Sequence, residues 1–412
     1  MKKTLMQLAQ EEEQNYSSPI VAAKINGEVR DIQSEYDHDD EISFIELNTS
    51  LGWRIYQRSI LFLFIVAVSN MNKEAEVVAK FTVNKGLYCE VKIPGKPINA
   101  HLIHDIEQEM REMIASNTPI VKHSIPRQEA IELFQAHGKR GKAALIASLP
   151  HSMISIYTCR NYPDYLYGAM LPETKLLGQF ALDVEQSGVL IRTPDEMTDG
   201  KIRTRVEQPK FGHILSEAKE WAKILECPYI SDLNQINTEH RMGELIRISE
   251  ALQEKRIAQI ADHIASHRNN IRLILIAGPS SSGKTSFAQR LQIQLRVNGL
   301  HPIMISLDDY FLNREDTPRN EKGQYDYESI DAIDTALFNQ NMLELLNGHK
   351  VQIPYYNFIT GKREWRDDNF LRLKEDQPII IEGIHGLNER LTADIARKNK
   401  YKIYISALTQ LN

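Results

Sequence analysis

A short run of residues in the last third of the chain has the types and spacing of a phosphate-binding loop. Residues 278–285 read Gly-Pro-Ser-Ser-Ser-Gly-Lys-Thr and fit the pattern G-x-x-x-x-G-K-[ST]. In this pattern backbone N–H groups surround a phosphate, the lysine reaches the β- and γ-phosphates, and the last hydroxyl is a ligand of Mg²⁺. The run therefore predicts a nucleotide phosphate site. The residues expected to contact the nucleotide are Gly278, Ser280, Ser281, Ser282, Gly283, Lys284, Thr285 and Ser286.

Two acidic residues follow other apolar runs of the same region. Asp308 comes after residues 302–306, and Glu382 comes after residues 378–381. Because ligands of open α/β sheets bind beyond the carboxyl ends of the strands, both carboxylates are expected beside the loop. There Asp308 can accept the proton of a substrate hydroxyl, and Glu382 can hold Mg²⁺ directly or through water. The alternatives are that Asp308 caps a helix and that Glu382 is a solvated strand end.

The elements around these residues predict a parallel α/β sheet. An apolar run at 273–276 precedes the loop, and residues 286–297 carry Phe287, Leu291 and Leu295 at helical spacing. Further strands are predicted at 302–306, 378–381 and 401–405, with helical segments between them. Alternation of this kind indicates a parallel sheet with helices on both faces.

The front part of the chain predicts two α+β regions and a connecting region. The connecting region is richer in Pro, Gly and charge, and it contains a short helix around 214–225 and a long amphipathic helix at about 239–266. The predicted division is 1–50, 51–195, 196–270 and 271–412.

Composition narrows the protein class without defining a function. The chain has 412 residues, a net charge of −6 and three widely spaced cysteines, which suits a reducing cytoplasm and favours no nucleic-acid partner. The longest apolar run, residues 60–68, is too short to span a membrane and predicts a buried helix. The N-terminus has no signal-peptide pattern. We therefore expect a cytoplasmic protein with no membrane partner.

Residues 274–412 resemble the uridine kinase and phosphoribulokinase family of P-loop kinases. The matching segments, in the family order, are GPSSSGKTSFA, SLDDYF, GQYDYESIDAID, VQIPYYNFITGKR, IIIEGIHGLN and IYISALTQLN. The resemblance implies that Lys284 and Thr285 serve ATP and magnesium. It also implies that Asp308 is the general base toward a sugar hydroxyl. Glu382 matches the acidic residue that the family has at the end of this strand.

The resemblance also implies residues on the acceptor side. Tyr356 matches an aromatic position that packs against a nucleoside base, and Arg363 matches a basic position near the substrate. Glu328 lies where typical members have an aspartate that contacts the ribose, and its extra methylene shifts that contact. Gly361 stands where some members have a histidine that reads the base.

The family pattern continues beyond Asn412 into a lid that carries arginines. Because such arginines act mainly in the transition state, we expect this chain to bind ATP but to turn it over poorly.

The front half resembles the N-terminal domains of threonyl-tRNA synthetases. Residues 20–45 resemble the latter part of a TGS domain without its first hairpin. Residues from 51 to about 193 resemble the editing-type domain, through the segments GWRIYQRSILFLF, GLYCEV and YTCRNYP.

The editing pocket of those enzymes is not conserved in this half of the chain. Arg58 and Phe62 stand where the synthetases have paired histidines, Cys159 matches their cysteine, and residues 162–164 take the place of the last histidine. Arg and Phe can neither bind a metal nor orient a water. A buried Cys159 is the expected alternative to a reactive one. The His101 and His104 pair predicts an exposed amphipathic helix rather than a metal site.

Taken together, the sequence predicts an ATP- and Mg²⁺-dependent kinase for a nucleoside hydroxyl of uridine or cytidine type. Two alternatives stay open: a kinase for a non-nucleoside sugar, and a nucleotide-gated RNA-binding or regulatory protein. A small-molecule substrate is expected in the first two cases, and a homo-oligomer is compatible with all three.

Overall fold

The computed structural model describes residues 4–83, 86–185, 188–198, 200–205, 217 and 220–406. Along the chain it divides between Met242 and Gly243 into two compact units. The helix predicted around 214–225 lies partly outside the described residues, and residues 220–224 are helical in the structure. The finer division at residues 50 and 195 stays a prediction.

The first unit combines antiparallel sheets with helices. Its helices are α1 (Leu5–Glu12), α2 (Ser50–Met71), α3 (Ala100–Ala115), α4 (Arg127–Ala136), α5 (Arg140–Ser148) and α6 (Ile230–Thr238). Its strands are β1 (Ile20–Ile25), β2 (Glu28–Asp31), β3 (Ile42–Glu46), β4 (Glu76–Val83), β5 (Gly86–Lys92), β6 (Ile120–Pro126), β7 (Met153–Cys159), β8 (Tyr162–Asp164), β9 (Ala181–Glu185) and β10 (Gly188–Arg192). They form three sheets in the orders β2-β1-β3, β4-β5-β10-β9 and β6-β7-β8.

Helix α2 is the centre of the first core. It is longer than the predicted apolar run, and it begins where the Thr49 hydroxyl accepts from the backbone N–H of Gly52. Only glycine fits at that position, because a Cβ on Gly52 would lie 2.1 Å from the Glu46 carbonyl oxygen. The helix is apolar enough to cross a membrane by length and composition, but 72% of its apolar window is buried inside the protein. It is a core helix of this unit.

The long helix predicted at about 239–266 is one helix in the structure, and a separate helix, α6, ends just before it. Helix α6 ends before His240, which has a positive φ of 58° and stops the helical path. Helix α7 (Met242–Ser266) then begins anew. Its buried residues, Ile257, Ala261 and Ile264, lie in the second half of the helix and pack into a core of the second unit.

The second unit contains the predicted parallel sheet. Its further helices are α8 (Lys284–Val297) and α9 (Thr335–Leu346). Its strands are β11 (Leu273–Ala277), β12 (Ile303–Ser306), β13 (Val351–Gln352), β14 (Tyr355–Asn357), β15 (Lys362–Glu364), β16 (Phe370–Leu371), β17 (Ile379–Glu382) and β18 (Lys400–Tyr404). The sheet order is β12-β17-β11-β18, and all its strands are parallel.

Strand β11 is buried on both faces, which confirms the α/β architecture with helices on two sides. Leu273 and Leu275 belong to a core with α9, whereas Ile274 and Ile276 belong to a core with α7 and α8. Successive side chains of a strand point to opposite faces, so a continuous apolar run is what a two-sided core requires.

Candidate active site

The phosphate-binding loop joins β11 to α8 as the sequence predicted. Gly283 has a φ of 85° and precedes the first residue of α8, and Ser281 has a φ of 60°. A Cβ on Gly278 would lie 2.2 Å from the Ile405 carbonyl oxygen, so only glycine permits this close approach. The loop therefore lies at the N-terminus of a helix, where backbone N–H groups and the helix dipole favour an anion.

The polar side chains of the loop lie close around this turn. Lys284 Nζ donates to the Pro279 carbonyl oxygen at 2.9 Å and so spans the loop. Ser282 Oγ is buried and has no hydrogen-bond partner among the described residues. Ser280, Thr285 and Ser286 are exposed at the loop and at the first turn of α8. A phosphate oxygen can accept from each of these hydroxyl and ammonium groups.

Glu382 ends β17 between the phosphate-loop strand and β12. It is paired with Ile276 on one side and with Ser306 on the other. Burial and the charge of Asp308 raise the pKa of its carboxyl group, while Lys284 and the Thr285 and Ser306 hydroxyls oppose that shift. Glu382 is thus half-buried rather than a solvated strand end. Hydroxyl and carboxylate oxygens are the ligands that Mg²⁺ prefers, so Thr285 and Glu382 fit a magnesium site.

Asp308 lies in a single helical turn, Leu307–Tyr310, directly after β12. The cap of this turn is Ser306, whose Oγ accepts from the Asp308 backbone N–H at 3.3 Å, so Asp308 is not the capping residue. Burial first, and then the Asp309 carboxylate, raise the pKa of Asp308, whereas Lys284 and His385 lower it. The carboxylate therefore shares one charged neighbourhood with the lysine of the loop.

The next residue, Asp309, connects this turn to the acceptor side and was missed in the sequence. Its Oδ1 accepts from the Tyr356 backbone N–H at 3.3 Å. Burial raises the pKa of Asp309, and the bond from Tyr356 and the charge of Arg366 oppose the shift. In the sequence, nothing distinguishes Asp308, the proposed catalytic carboxylate, from Asp309, whose carboxylate holds the backbone of Tyr356.

Tyr356 belongs to a cluster of aromatic rings. Its ring centroid lies 5.5 Å from that of Phe311 and 5.0 Å from that of Phe358. Phe311 also contacts Tyr327, the residue before Glu328. Tyr356 is buried, whereas the Phe358 side chain is 61% exposed and offers an open apolar face.

Two predicted acceptor residues differ in how they are placed. Arg363 lies opposite Tyr356 in the β14–β15 hairpin, but its Nη1 donates to Asp334 at 2.8 Å, so its charge is already paired. Glu328 is exposed, and its backbone N–H donates to the Asp326 carboxylate. Glu328 is therefore free to reach a ligand, while Arg363 would first have to leave its carboxylate.

Gly361 lies under the guanidinium of another residue. Its φ is 69°, and a Cβ built there would be 2.7 Å from Arg314 Nε. Arg314 Nη2 also donates to the Phe358 carbonyl oxygen at 3.1 Å. Arg314 thus occupies the space that a side chain at position 361 would need, and no local sequence pattern pointed to this contact.

The residues at the editing positions of the first unit are packed rather than open. Phe62 is fully buried, and Arg58 Nη1 donates to the Ala169 carbonyl oxygen. Burial raises the pKa of Cys159 to about 11, so its thiol stays protonated at neutral pH. Asp164 is completely buried and accepts from Lys142 Nζ. These four side chains are thus held by packing, by a hydrogen bond or by an ion pair.

Clustered metal ligands are not found in the described part of the chain, where no group of three or more His, Cys, Asp or Glu could hold an ion. His101 and His104 are exposed on α3, and His101 Nδ1 lies 3.7 Å from the Asp105 carboxylate. Both residues belong to an amphipathic helix, as the sequence predicted.

The second unit matches a known kinase family. Residues 273–412 match the family model described as "Phosphoribulokinase / Uridine kinase family". A solved structure of a possible uridine kinase from Bacillus stearothermophilus is 21% identical, covers 35% of this chain and 78% of that chain, and has a TM-score of 0.28.

The N-terminal region of the chain is similar to threonine–tRNA ligases. The enzyme of Methylococcus capsulatus is 25% identical over 224 residues, which is 54% of this chain and 34% of the ligase. The enzyme of Clostridioides difficile is 26% identical over 224 residues, 53% of this chain and 35% of the ligase. The chain thus spans about a third of the length of these relatives.

Proposed function

We propose that this chain transfers the γ-phosphoryl group of ATP to a nucleoside hydroxyl of uridine or cytidine type. The match of residues 273–412 to the model of the phosphoribulokinase and uridine kinase family supports this proposal. The observation that carries this proposal is one charged neighbourhood at the carboxyl ends of β11, β12 and β17. There Lys284, Asp308 and Glu382 influence one another electrostatically. Phosphoryl transfer needs charge neutralisation and an oriented nucleophile, and these three side chains supply both.

Each of these residues has a defined part in the proposed reaction. The loop N–H groups and Lys284 bind the β- and γ-phosphates, and Thr285 and Glu382 hold Mg²⁺, which neutralises phosphate charge when bound. Asp308 accepts the proton of the acceptor hydroxyl while that oxygen bonds to the γ-phosphorus and ADP departs. A raised pKa suits Asp308 to this work, because a carboxylate with a higher pKa is a stronger base.

The acceptor side supports a flat, apolar group beside a hydroxyl-bearing sugar. Phe358 packs against the buried Tyr356 and provides an exposed ring face for a base, and Glu328 provides a carboxylate for ribose hydroxyls. Aromatic faces attract flat heterocycles through stacking.

A non-nucleoside sugar is the second candidate acceptor, and Arg314 is the observation that favours it. The guanidinium occupies the space at Gly361 where a base-reading side chain would stand. Arginine has five N–H donors and no acceptor, so it cannot accept from the ring N–H of a uracil. The hydroxyl oxygens of a sugar can all accept hydrogen bonds from this guanidinium.

A screen of acceptors separates these two candidates. The full chain is incubated with MgATP and either a panel of nucleosides or a panel of sugars, and ADP release is measured. Stimulation by uridine or cytidine supports the nucleoside kinase, whereas stimulation by sugars alone supports the second candidate. The absence of stimulation by every compound in both panels would overturn the proposal.

For the first unit we propose a role in binding a partner rather than in catalysis. Its similarity to threonine–tRNA ligases makes an RNA partner the rival proposal, in which the nucleotide site regulates RNA binding. RNA that co-purifies with the chain and is released by ATP would favour this rival. The buried free cysteines suit the cytoplasmic location that we propose.

A further inference from the structure

One histidine in the candidate active site has no part in the reaction described so far. His385 lies in the turn 383–386 that follows β17. The Gly383 N–H donates to the Ile276 carbonyl oxygen at 3.2 Å, and the Gly386 N–H donates to the Gly383 carbonyl oxygen at 3.1 Å. The turn is thereby attached to the end of β11, the strand that leads into the phosphate-binding loop.

The two glycines of the turn fix its position. A Cβ on Gly383 would lie 2.7 Å from Leu307 Cβ, and a Cβ on Gly386 would lie 2.7 Å from the Ile276 carbonyl oxygen. The turn is therefore pressed against the end of β11 and against the residue before Asp308. The Asn388 N–H donates to the His385 carbonyl oxygen at 2.8 Å and holds the exit of the turn. The backbone of His385 is thus held next to the reacting region.

The imidazole of His385 has an unused hydrogen-bonding atom. Its Nε2 is buried, and no described residue is its hydrogen-bond partner. Ser282 Oγ, within the phosphate-binding loop, has the same property. Native proteins pair nearly all their buried polar atoms, so two unpaired atoms near one loop point to a ligand that pairs them.

The charges around His385 indicate what kind of ligand this is. The imidazole is close enough to Asp308 that its charged form lowers the pKa of that carboxyl group, and Lys284 acts on the same carboxyl group. Asp308 is reserved for the hydroxyl proton. Phosphoryl oxygens only accept hydrogen bonds, so a phosphoryl oxygen at this place selects the imidazole tautomer with hydrogen on Nε2.

We propose that His385 Nε2–H donates a hydrogen bond to the transferring phosphoryl group and that this bond is strongest in the transition state. The inference rests on the proposed kinase function and adds a catalytic residue to it. No proton leaves the imidazole: the hydrogen bond compensates charge that builds up on the equatorial phosphoryl oxygens.

The test compares two substitutions at this position in the full chain. His385→Gln keeps an N–H donor near the place of Nε2, whereas His385→Leu removes it. Affinity is measured by calorimetry for MgADP alone and for MgADP with aluminium fluoride, which mimics the transferring phosphoryl group. His301→Gln, at an exposed histidine of the same unit, is the control.

We expect all variants to bind MgADP within about twofold of the parent. The Leu variant should bind the aluminium fluoride complex about 10²-fold more weakly, the usual effect of losing one preorganised donor, with a parallel loss in kcat. The Gln variant should retain most of the affinity. If the Leu variant does not fold, His385→Asn replaces it, because its shorter amide cannot reach the place of Nε2.

Two outcomes would overturn the inference, and they differ in what they imply. Equal affinity of the parent and the Leu variant for the aluminium fluoride complex would exclude His385 as a donor and leave the kinase function intact. A parent chain that binds MgADP but gains no affinity from aluminium fluoride would contradict phosphoryl transfer itself, and the inference with it.

Discussion

Asp308 is the residue on which the proposed chemistry depends most directly. Its pKa is raised by burial and by the adjacent Asp309 carboxylate, and the neighbouring Lys284 keeps it from rising further. A carboxylate in this setting is more basic than one in water. Removal of its charge should therefore affect proton transfer more than nucleotide binding.

Asp308→Asn should leave MgATP affinity within a few-fold of the parent and lower kcat by about 10²- to 10⁴-fold. The amide has nearly the same shape as the carboxylate but cannot accept the hydroxyl proton. Nucleotide titration and steady-state ADP release measure the two quantities. If MgATP affinity falls as steeply as kcat, Asp308 belongs to the metal site.

The same substitution should stabilise the protein at neutral and alkaline pH. A carboxyl group whose pKa is higher in the folded state contributes stability below its unfolded pKa, and that contribution is lost as pH rises through the folded value. Asparagine does not ionise, so the variant does not lose this stability as pH rises. The Tm of Asp308→Asn should therefore exceed that of the parent at pH 8 by more than it does at pH 5.

The control for this effect is Asp394→Asn, at an exposed aspartate of the same unit. Its Tm should follow that of the parent at both pH values. A Tm difference for Asp308→Asn that does not grow with pH would contradict the raised pKa.

At the scale of elements, the conformation of the phosphate-binding loop depends on the close contact between its first residue and the backbone that follows β18. A Cβ on Gly278 would lie 2.2 Å from the Ile405 carbonyl oxygen and 2.7 Å from Ser282 Oγ. Backbone cannot yield as a flexible side chain can, so the loop itself would have to move. Its N–H groups would then lose their common direction toward a phosphate.

Gly278→Ala should therefore weaken MgATP binding by at least tenfold, equivalent to about 1.4 kcal/mol. Gly141→Ala is the matched control, because Gly141 lies in α5 with nothing within 4 Å of an added Cβ. Calorimetric titration of both variants with MgATP measures the difference. Equal affinity of the two variants would show that the loop does not hold the phosphates.

The parts of the fold that sequence could predict are those with local signals. The strand, loop and helix of the phosphate site have an apolar run, paired glycines and helical spacing within one short segment. By contrast, β6, α4, α5 and β7 were not predicted. Only Ile120 of β6 is buried, so the strand shows no alternation, and its pairing with β7 depends on contacts distant in sequence.

In the candidate active site too, features with a local or topological signal were predicted, and features that depend on contacts between distant segments were not. The carboxylates at the strand ends were predicted because topology places them together. The burial of His385 Nε2 and the position of Arg314 over Gly361 arise from contacts between distant segments. His385 was not predicted, and a polar residue between glycines directly after a strand is the local signal that could have identified it.

At the scale of the whole chain, the two units are expected to differ in activity. The first unit should not hydrolyse mischarged tRNA, because Phe62 is buried in the core, Arg58 is bonded to the Ala169 carbonyl, and the Cys159 thiol is protonated at neutral pH. Incubation of the chain with seryl-tRNA(Thr) measures deacylation. Hydrolysis above background that is lost in Cys159→Ala would contradict this prediction.

The central claim is that the loop of the second unit transfers a phosphoryl group. It is tested most directly by following the γ-phosphoryl group of labelled ATP into an acceptor, with the parent chain and with Lys284→Ala. The lysine is the first residue of α8 and belongs to no hydrophobic core, so the variant should fold with an unchanged Tm. We predict labelled acceptor from the parent and none from the variant. Equal labelling by both chains would contradict the phosphate-loop assignment and the proposed function.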